Sequence, residues 1–366
     1  GNSFTGNYRM AKFKLALGVL ASLLFALAPA AAVHAKEANG KSSASKKHNT
    51  KKVKVVLRKG ATAAPREKTV RRVVMVRGKR KVIYQKVSSV AVPMAAPMPT
   101  MGDLAGLNLT RDPLDLKSSV ALVLDQNNSE VLFEKNSNVA LPIASITKMM
   151  TGLVVVEAHQ DMDELLTITD EDVDRAKFSS SRLKVGSQLT RANMLHIALM
   201  SSENRAASAL GRNYPGGLPA FVDAMNSKAR QLGMMDTHYV DSSGLSKMNV
   251  ASARDLGKLA MAAFRHPLLR EYSTDPKAIV EASGQPMQFG NTNHLVANPG
   301  WEIGLQKTGF INEAGRCLMM QAVIEGRAVI MVFLDSKGKQ SRTADAGRMR
   351  KWLEALKPAN MSLPGG

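Results

Sequence analysis

The sequence has a single cysteine, Cys317, so no disulfide can form within the chain and packing must supply its stability. That cysteine lies in the apolar, strand-like run Cys317-Leu318-Met319-Met320-Gln321-Ala322-Val323, where a buried structural thiol is expected rather than a nucleophile. Acidic residues are scarce near the N-terminus. Residues 36–87 hold 18 Lys or Arg against two Glu, and so carry most of the formal charge of +20. With Arg9, Lys12 and Lys14 added, about +1 remains for everything after residue 87, so the basicity belongs to a tail. A bilayer-spanning run is also lacking near the N-terminus, because Leu15 to Ala28 falls short of the ~20 apolar residues a span needs. The clustered Asp161, Asp163, Asp170, Glu171, Asp172 and Asp174 have no His or Cys at ligand spacing, so they read as a solvated face and no metal or cofactor is expected.

The N-terminus has the layout of a secretory leader. Lys12 and Lys14 precede the apolar run, and Val33-His34-Ala35 offers compact residues for cleavage before Lys36. Residues 1–35 therefore read as a cleaved leader, with Gly1 to Arg9 upstream of the natural start at Met10. Residues 36–111 read as a basic tail and a linker bearing Pro93, Pro97 and Pro99. Lys51 to Val56 and Val70 to Ile83 interleave basic and β-branched residues and can form short strands, but residues 36–111 as a whole are expected to be disordered. An exported chain meets no nucleic acid. The charge of residues 36–87 therefore points to an anionic envelope surface, with a solvated linker as the alternative.

From residue 112 to the end the texture is globular. Ser118 to Asp125 and Glu130 to Asn136 read as a hairpin around Gln126-Asn127-Asn128. A helix is expected from about Ser145, and another over Arg191 to Met200 with Thr190 as its N-cap. Phe221 to Leu232 and Ser252 to Phe264 have helical periodicity. Ile303 to Thr308, Cys317 to Ile324 and Val329 to Asp335 read as strands, and Ala344 to Leu356 as a closing helix. The expected class is α+β, with one sheet joining both ends of the domain and a helical insertion between them.

Three short motifs fall on this frame in a fixed order. Ser145-Ile146-Thr147-Lys148 places a hydroxyl and an amine one helical turn apart. A serine needs a base to become a nucleophile, and a lysine is a base only when neutral. Ser202-Glu203-Asn204 follows between two helices, and Lys307-Thr308-Gly309 lies on a late strand. S-x-x-K, S-x-N and K-T-G together are the signature of penicillin-binding proteins and serine β-lactamases. His196 and His238 suggest a triad, but Ser145 already has Lys148 beside it, and a histidine on a helix face is more often structural.

With Leu141 to Thr151, Met194 to Ala207 and Gly304 to Phe310, the chain resembles the serine D,D-peptidases of the low-molecular-mass penicillin-binding proteins over about residues 112–357. Within them it is most similar to the D-alanyl-D-alanine endopeptidases of the penicillin-binding protein 7 type. The resemblance implies a mainly antiparallel sheet flanked by helices, as in β-lactamases and D,D-peptidases. It also implies periplasmic residence, peptidoglycan peptides as substrates and β-lactams as covalent inhibitors. Ser145 is then expected to be acylated, Lys148 to take its proton and Ser202 to relay that proton to the leaving amine. Asn204, Lys307, Thr308, Gly309 and Phe310 are expected to bind substrate. Lys307 adds positive potential that keeps Lys148 neutral, Thr308 meets a carboxylate, and the backbone N–H groups of Ser145 and Phe310 form the oxyanion hole. Glu203 is expected to be non-catalytic.

The alternatives are a D-alanyl-D-alanine carboxypeptidase, a class A β-lactamase, and a non-catalytic envelope-binding protein. The β-lactamase reading needs a deacylating glutamate between the second and third motifs, and none occurs from Asn204 to Arg270. The full motif set argues against the non-catalytic reading. Carboxypeptidase relatives usually carry a further β-rich domain after the peptidase domain, whereas here residues 308–366 suffice for two strands and a helix, which favours the endopeptidase.

Overall fold

The computed structural model describes residues 67–76, 78–88 and 96–356. The chain divides between Val92 and Pro93 into two compact units. The expected leader and most of the basic tail lie outside the described residues. In the first unit β1 (Glu67–Val76) pairs antiparallel with β2 (Lys79–Ser88), with Gly78 at positive φ in the turn. Against the disorder expected for residues 36–111 as a whole, this stretch has strands.

The second unit starts earlier than residue 112. Thr100 caps α1 (Met101–Leu104), and Thr100 and Asp103 form a reciprocal capping box. Met101 N–H donates to the Glu313 carbonyl at 2.9 Å, and Lys337 donates to Thr100 Oγ1 at 2.9 Å and Asp103 Oδ2 at 2.8 Å. Asp112 then pairs with Lys135 at 2.9 Å, with both side chains about 5% exposed. Residues 100–111, expected to be linker, are thus fastened to the domain by a cap, a backbone bond and a lysine clamp.

The elements of this unit follow in order. β3 (Ser118–Asp125) and β4 (Val131–Lys135) form the expected hairpin. The two-residue β5 (Leu141–Pro142) leads through a tight turn, Ala144–Ile146, into α2 (Thr147–Glu157). Ser145 therefore sits in a 3-10 turn ahead of the helix rather than in it. Next come β6 (Leu165–Thr167), β7 (Gln188–Thr190), α3 (Arg191–Met200), α4 (Asn204–Arg212) and α5 (Gly217–Gln231). Thr190 caps α3 by accepting from Asn193 N–H at 3.1 Å. β8 (Val250–Ala251), α6 (Ala253–Phe264) and α7 (Pro267–Thr274) complete the helical middle, and β9 (Lys277–Ala282) and β10 (Gln285–Gly290) make a hairpin that periodicity did not predict. β11 (Glu302–Ile311), β12 (Gly315–Ile324), β13 (Arg327–Ser336) and α8 (Ser341–Ala355) close the domain.

The main sheet runs β11-β12-β13-β3-β4, antiparallel throughout. Alternate residues of a strand point to opposite faces. On β13, Ile330, Val332 and Leu334 enter the large core with the helical middle, while Val329, Met331 and Phe333 enter a smaller one under α8. Val120 and Leu122 of β3 join the first, and Ala121 and Val123 the second. Each fully buried aliphatic side chain contributes about 1.5–3 kcal/mol. Residues Thr147 to Val155 of α2 are all buried, so this helix is the axis of the large core. The Ser145 turn is therefore fixed between a buried helix and the edge strand β11.

Candidate active site

The chain enters the Ser145 turn along β5, which pairs with β8. Ile143 N–H donates to the Asn249 carbonyl at 3.1 Å, and Ile146 N–H returns to the Ile143 carbonyl at 3.2 Å. Ala144 holds φ at +49°, an uncommon conformation for a residue with a side chain. Two glycines make room for it. A Cβ on Gly244, itself at φ +89°, would fall 2.0 Å from the Ala144 carbonyl oxygen. A Cβ on Gly309 would fall 2.9 Å from the Ile143 carbonyl oxygen and 3.0 Å from the Ser145 nitrogen. The glycine of the third motif thus lets β11 close onto the backbone N–H of Ser145.

Lys148 is fully buried on α2 and donates to three oxygens. These are Ser145 Oγ, Asn204 Oδ1 and the Ser243 carbonyl, each at 2.7 Å. Burial holds its pKa down to about 7, against an opposing pull from the negative charges of Asp241 and Glu203. The depression expected from Lys307 has burial as its first cause instead. Lys307 is itself fully buried and its pKa lies well below the usual lysine value, first through burial and then through repulsion by Lys148 and Arg342. It donates to Ser202 Oγ at 3.0 Å and to the Thr308 carbonyl at 2.8 Å.

The second motif joins the first and third. Ser202 sits at φ +60° between α3 and α4. Its hydroxyl oxygen accepts from Lys307, and among the described residues no hydrogen bond links it to Lys148 or Ser145. Asn204 opens α4, accepts from Lys148 and donates to Ser179 Oγ at 3.2 Å. Glu203 is turned inward, accepting from Ser181 Oγ at 2.6 Å and Arg182 N–H at 3.2 Å, so it secures the 174–187 loop. Thr308 Oγ1 lies 2.6 Å from Thr292 Oγ1. Phe310 is about half exposed, with the Arg316 guanidinium 4.6 Å from its ring centroid. His196 binds Asp275 at 2.9 Å and stacks on Tyr272, and His238 bridges to Val250 through its backbone, so both histidines are engaged away from Ser145.

Three side-chain contributors were missed in the sequence. Asp241 accepts from the N–H groups of Ser243, Gly244 and Ser246, and so shapes the turn whose Ser243 carbonyl meets Lys148. Thr151 Oγ1 ties the same turn to α2 by donating to the Ser242 carbonyl at 2.7 Å. Asp-Ser-Ser-Gly is a turn signal, but nothing local says where the turn docks. Arg342 of α8 donates to the Gly309 carbonyl at 2.9 Å and steadies the third motif.

A helical layer on an antiparallel sheet, with a serine and a buried lysine at the sheet edge, is the architecture of serine D,D-peptidases. Residues 108–338 match the sequence pattern of a family described as D-alanyl-D-alanine carboxypeptidase. The chain is 48% identical over 268 residues to the D-alanyl-D-alanine endopeptidase of Pseudomonas aeruginosa, covering 73% of this chain and 84% of that one. It is 43% identical over 245 residues to the D-alanyl-D-alanine endopeptidase of Escherichia coli, covering 66% and 79%. The crystal structure of the Streptomyces K15 DD-transpeptidase superposes with a TM-score of 0.62 at 25% identity, over 68% of this chain and all of that one. The chain belongs to the D-alanyl-D-alanine carboxypeptidase family of serine peptidases.

Proposed function

We propose that the protein is a serine D,D-endopeptidase that cleaves D-alanyl cross-links in peptidoglycan through an acyl-enzyme intermediate. The observation that carries this is the buried Lys148 amine 2.7 Å from Ser145 Oγ, with a pKa near 7. A neutral amine accepts the serine proton as the oxygen attacks the D-alanyl carbonyl. The backbone N–H of Ser145, with that of Phe310 on the adjoining strand, receives the negative charge that develops on the carbonyl oxygen. Asn204 holds the amine in register, and the proton that Lys148 takes from Ser145 passes to the leaving nitrogen, with Ser202, which Lys307 positions, as the relay. Thr308 faces a substrate carboxylate. Penicillins acylate the same serine, because their amide carbonyl presents the same target.

The endopeptidase name on the relatives at 48% and 43% identity favours cross-link cleavage over release of a terminal D-alanine. The leader expected over residues 1–35 would place the enzyme in the periplasm, and the basic residues 36–87 would hold it to an anionic envelope surface. The deciding experiment is digestion of purified peptidoglycan by the processed protein, with the muropeptides resolved. Conversion of dimers to monomers is expected. Loss of terminal D-alanine without loss of dimers would make the enzyme a carboxypeptidase.

A further inference from the structure

Beyond Thr308 the cleft continues. A cavity of about 420 Å³ runs on between β11, the start of β12 and the approach to α8, and its walls include His294, Thr308, Arg316, Lys339 and Arg342. Arg316 and Lys339 also border a neighbouring cavity of about 480 Å³ that takes in the exposed face of Phe310. The two cavities thus share a cationic boundary. No Asp or Glu lines the first. The acid lining the second, Asp103, is already bound to Lys337 at 2.8 Å. Among the described residues neither Arg316 nor Lys339 has an ion-pair partner. Arg316 instead lies over the Phe310 ring, which fixes its guanidinium at the channel wall. Asn293, a buried residue of the first cavity, has a side-chain nitrogen with no hydrogen-bond partner in the protein. An acid-free row of cations calls for an oxygen anion.

The opening beside Ser202 is different. It is lined by Ser180, Ser181, Ser202, Phe289 and Gly290, with Arg182 seated over the Phe289 ring and Glu203 already satisfied. It offers hydroxyls and backbone, and less net charge. Charge therefore distinguishes the two openings.

The geometry points to the cationic channel as the seat of an acidic peptide on the leaving side of the scissile bond, with Arg316 and Lys339 binding its carboxylates beyond Thr308. This rests on the endopeptidase reading. An enzyme that releases one amino acid needs only the inner end of the channel. One that opens a cross-link releases an amine belonging to a second peptide, which must run out past Phe310 to reach solvent. Arg316 and Lys339 would then be specificity residues that recognise the released peptide and take no part in breaking the bond.

The test uses two synthetic peptides with the same D-alanyl acyl part. In one the leaving peptide carries free carboxylates, and in the other they are amidated. The measured quantity is the ratio of their kcat/KM values in the full-length processed protein. Wild type should prefer the acidic peptide. Arg316→Gln should lower that preference about tenfold, and Lys339→Gln, at an exposed position, about threefold. A variant that merely disturbs the fold lowers both rates together and leaves the ratio where it was. If both variants keep the wild-type ratio, the channel does not read carboxylates and the inference fails. If wild type cleaves neither peptide, the endopeptidase reading falls and takes the inference with it. If wild type cleaves both equally, the reading stands and the channel assignment does not.

Discussion

The Lys148 amine and the Ser243 carbonyl oxygen lie 2.7 Å apart, joined across 95 residues of chain. This contact, with those to Ser145 and Asn204, gives an ammonium group three acceptors while burial withholds water from it. Aimed at Ser145 by its partners and discharged by burial, the amine is set up as a base.

Ser145→Ala should abolish labelling by a fluorescent penicillin while leaving the melting temperature within a few degrees of wild type, since the hydroxyl accepts a single hydrogen bond in the fold. Lys148→Arg should lower the acylation rate about 10³-fold, because a guanidinium stays protonated and cannot accept the serine proton. Retained labelling in the serine variant would move the nucleophile elsewhere, and retained rate in the arginine variant would require another base.

The acylation rate should rise with pH through about 7, the value to which Lys148 is depressed, because only the neutral amine is a base. Below that value kcat/KM should fall about tenfold per pH unit. Glu203 opposes the depression, so Glu203→Gln should move this limb to lower pH. A stopped-flow pH profile with a chromogenic β-lactam reads both. A shift to higher pH in the variant would contradict the assigned sign.

Gly244→Ala should destabilise the domain by about 3 kcal/mol, combining a left-handed backbone position with overpacking against Ala144. Acylation should fall further than stability does, because the atom struck belongs to the residue before Ser145. Thermal melts and penicillin labelling of the same sample separate the two effects.

Removing residues 36–88, the basic tail together with its hairpin, should weaken co-sedimentation with intact sacculi at low salt. The difference should shrink as salt rises, since attraction across water is screened beyond ~10 Å at 0.1 M. Equal sedimentation of both forms would make the tail a spacer.

The parts of this site that sequence revealed are those with a local rule. Ser145 and Lys148 are three residues apart, Ser202 and Asn204 two, and Lys307 to Gly309 are contiguous, so each motif carries its own geometry. Thr190 announced α3 by capping chemistry, and periodicity announced α6. Ser243 and Arg342 carry no such mark, because their part depends on where a turn and a helix dock. The 3-10 turn at Ser145 was hidden by a helical pattern that starts two residues later, and the hairpin of β9 and β10 by its mixed composition. The pairing of Lys307 with Ser202 depends on how β11 meets the α3–α4 loop, which periodicity does not encode.

The pairing of β3 with β13 sets a condition on when the domain can form. Val120 lies opposite Leu334, so the middle of the sheet joins residues more than 200 positions apart. Contacts of such separation form slowly, because a long loop must close before they repay its entropy. Until β13 has been synthesised, β3 lacks its inner neighbour and β11 lacks the sheet that holds it against Ser145. Ser145 therefore meets its edge strand in a finished sheet only once the last strand has arrived.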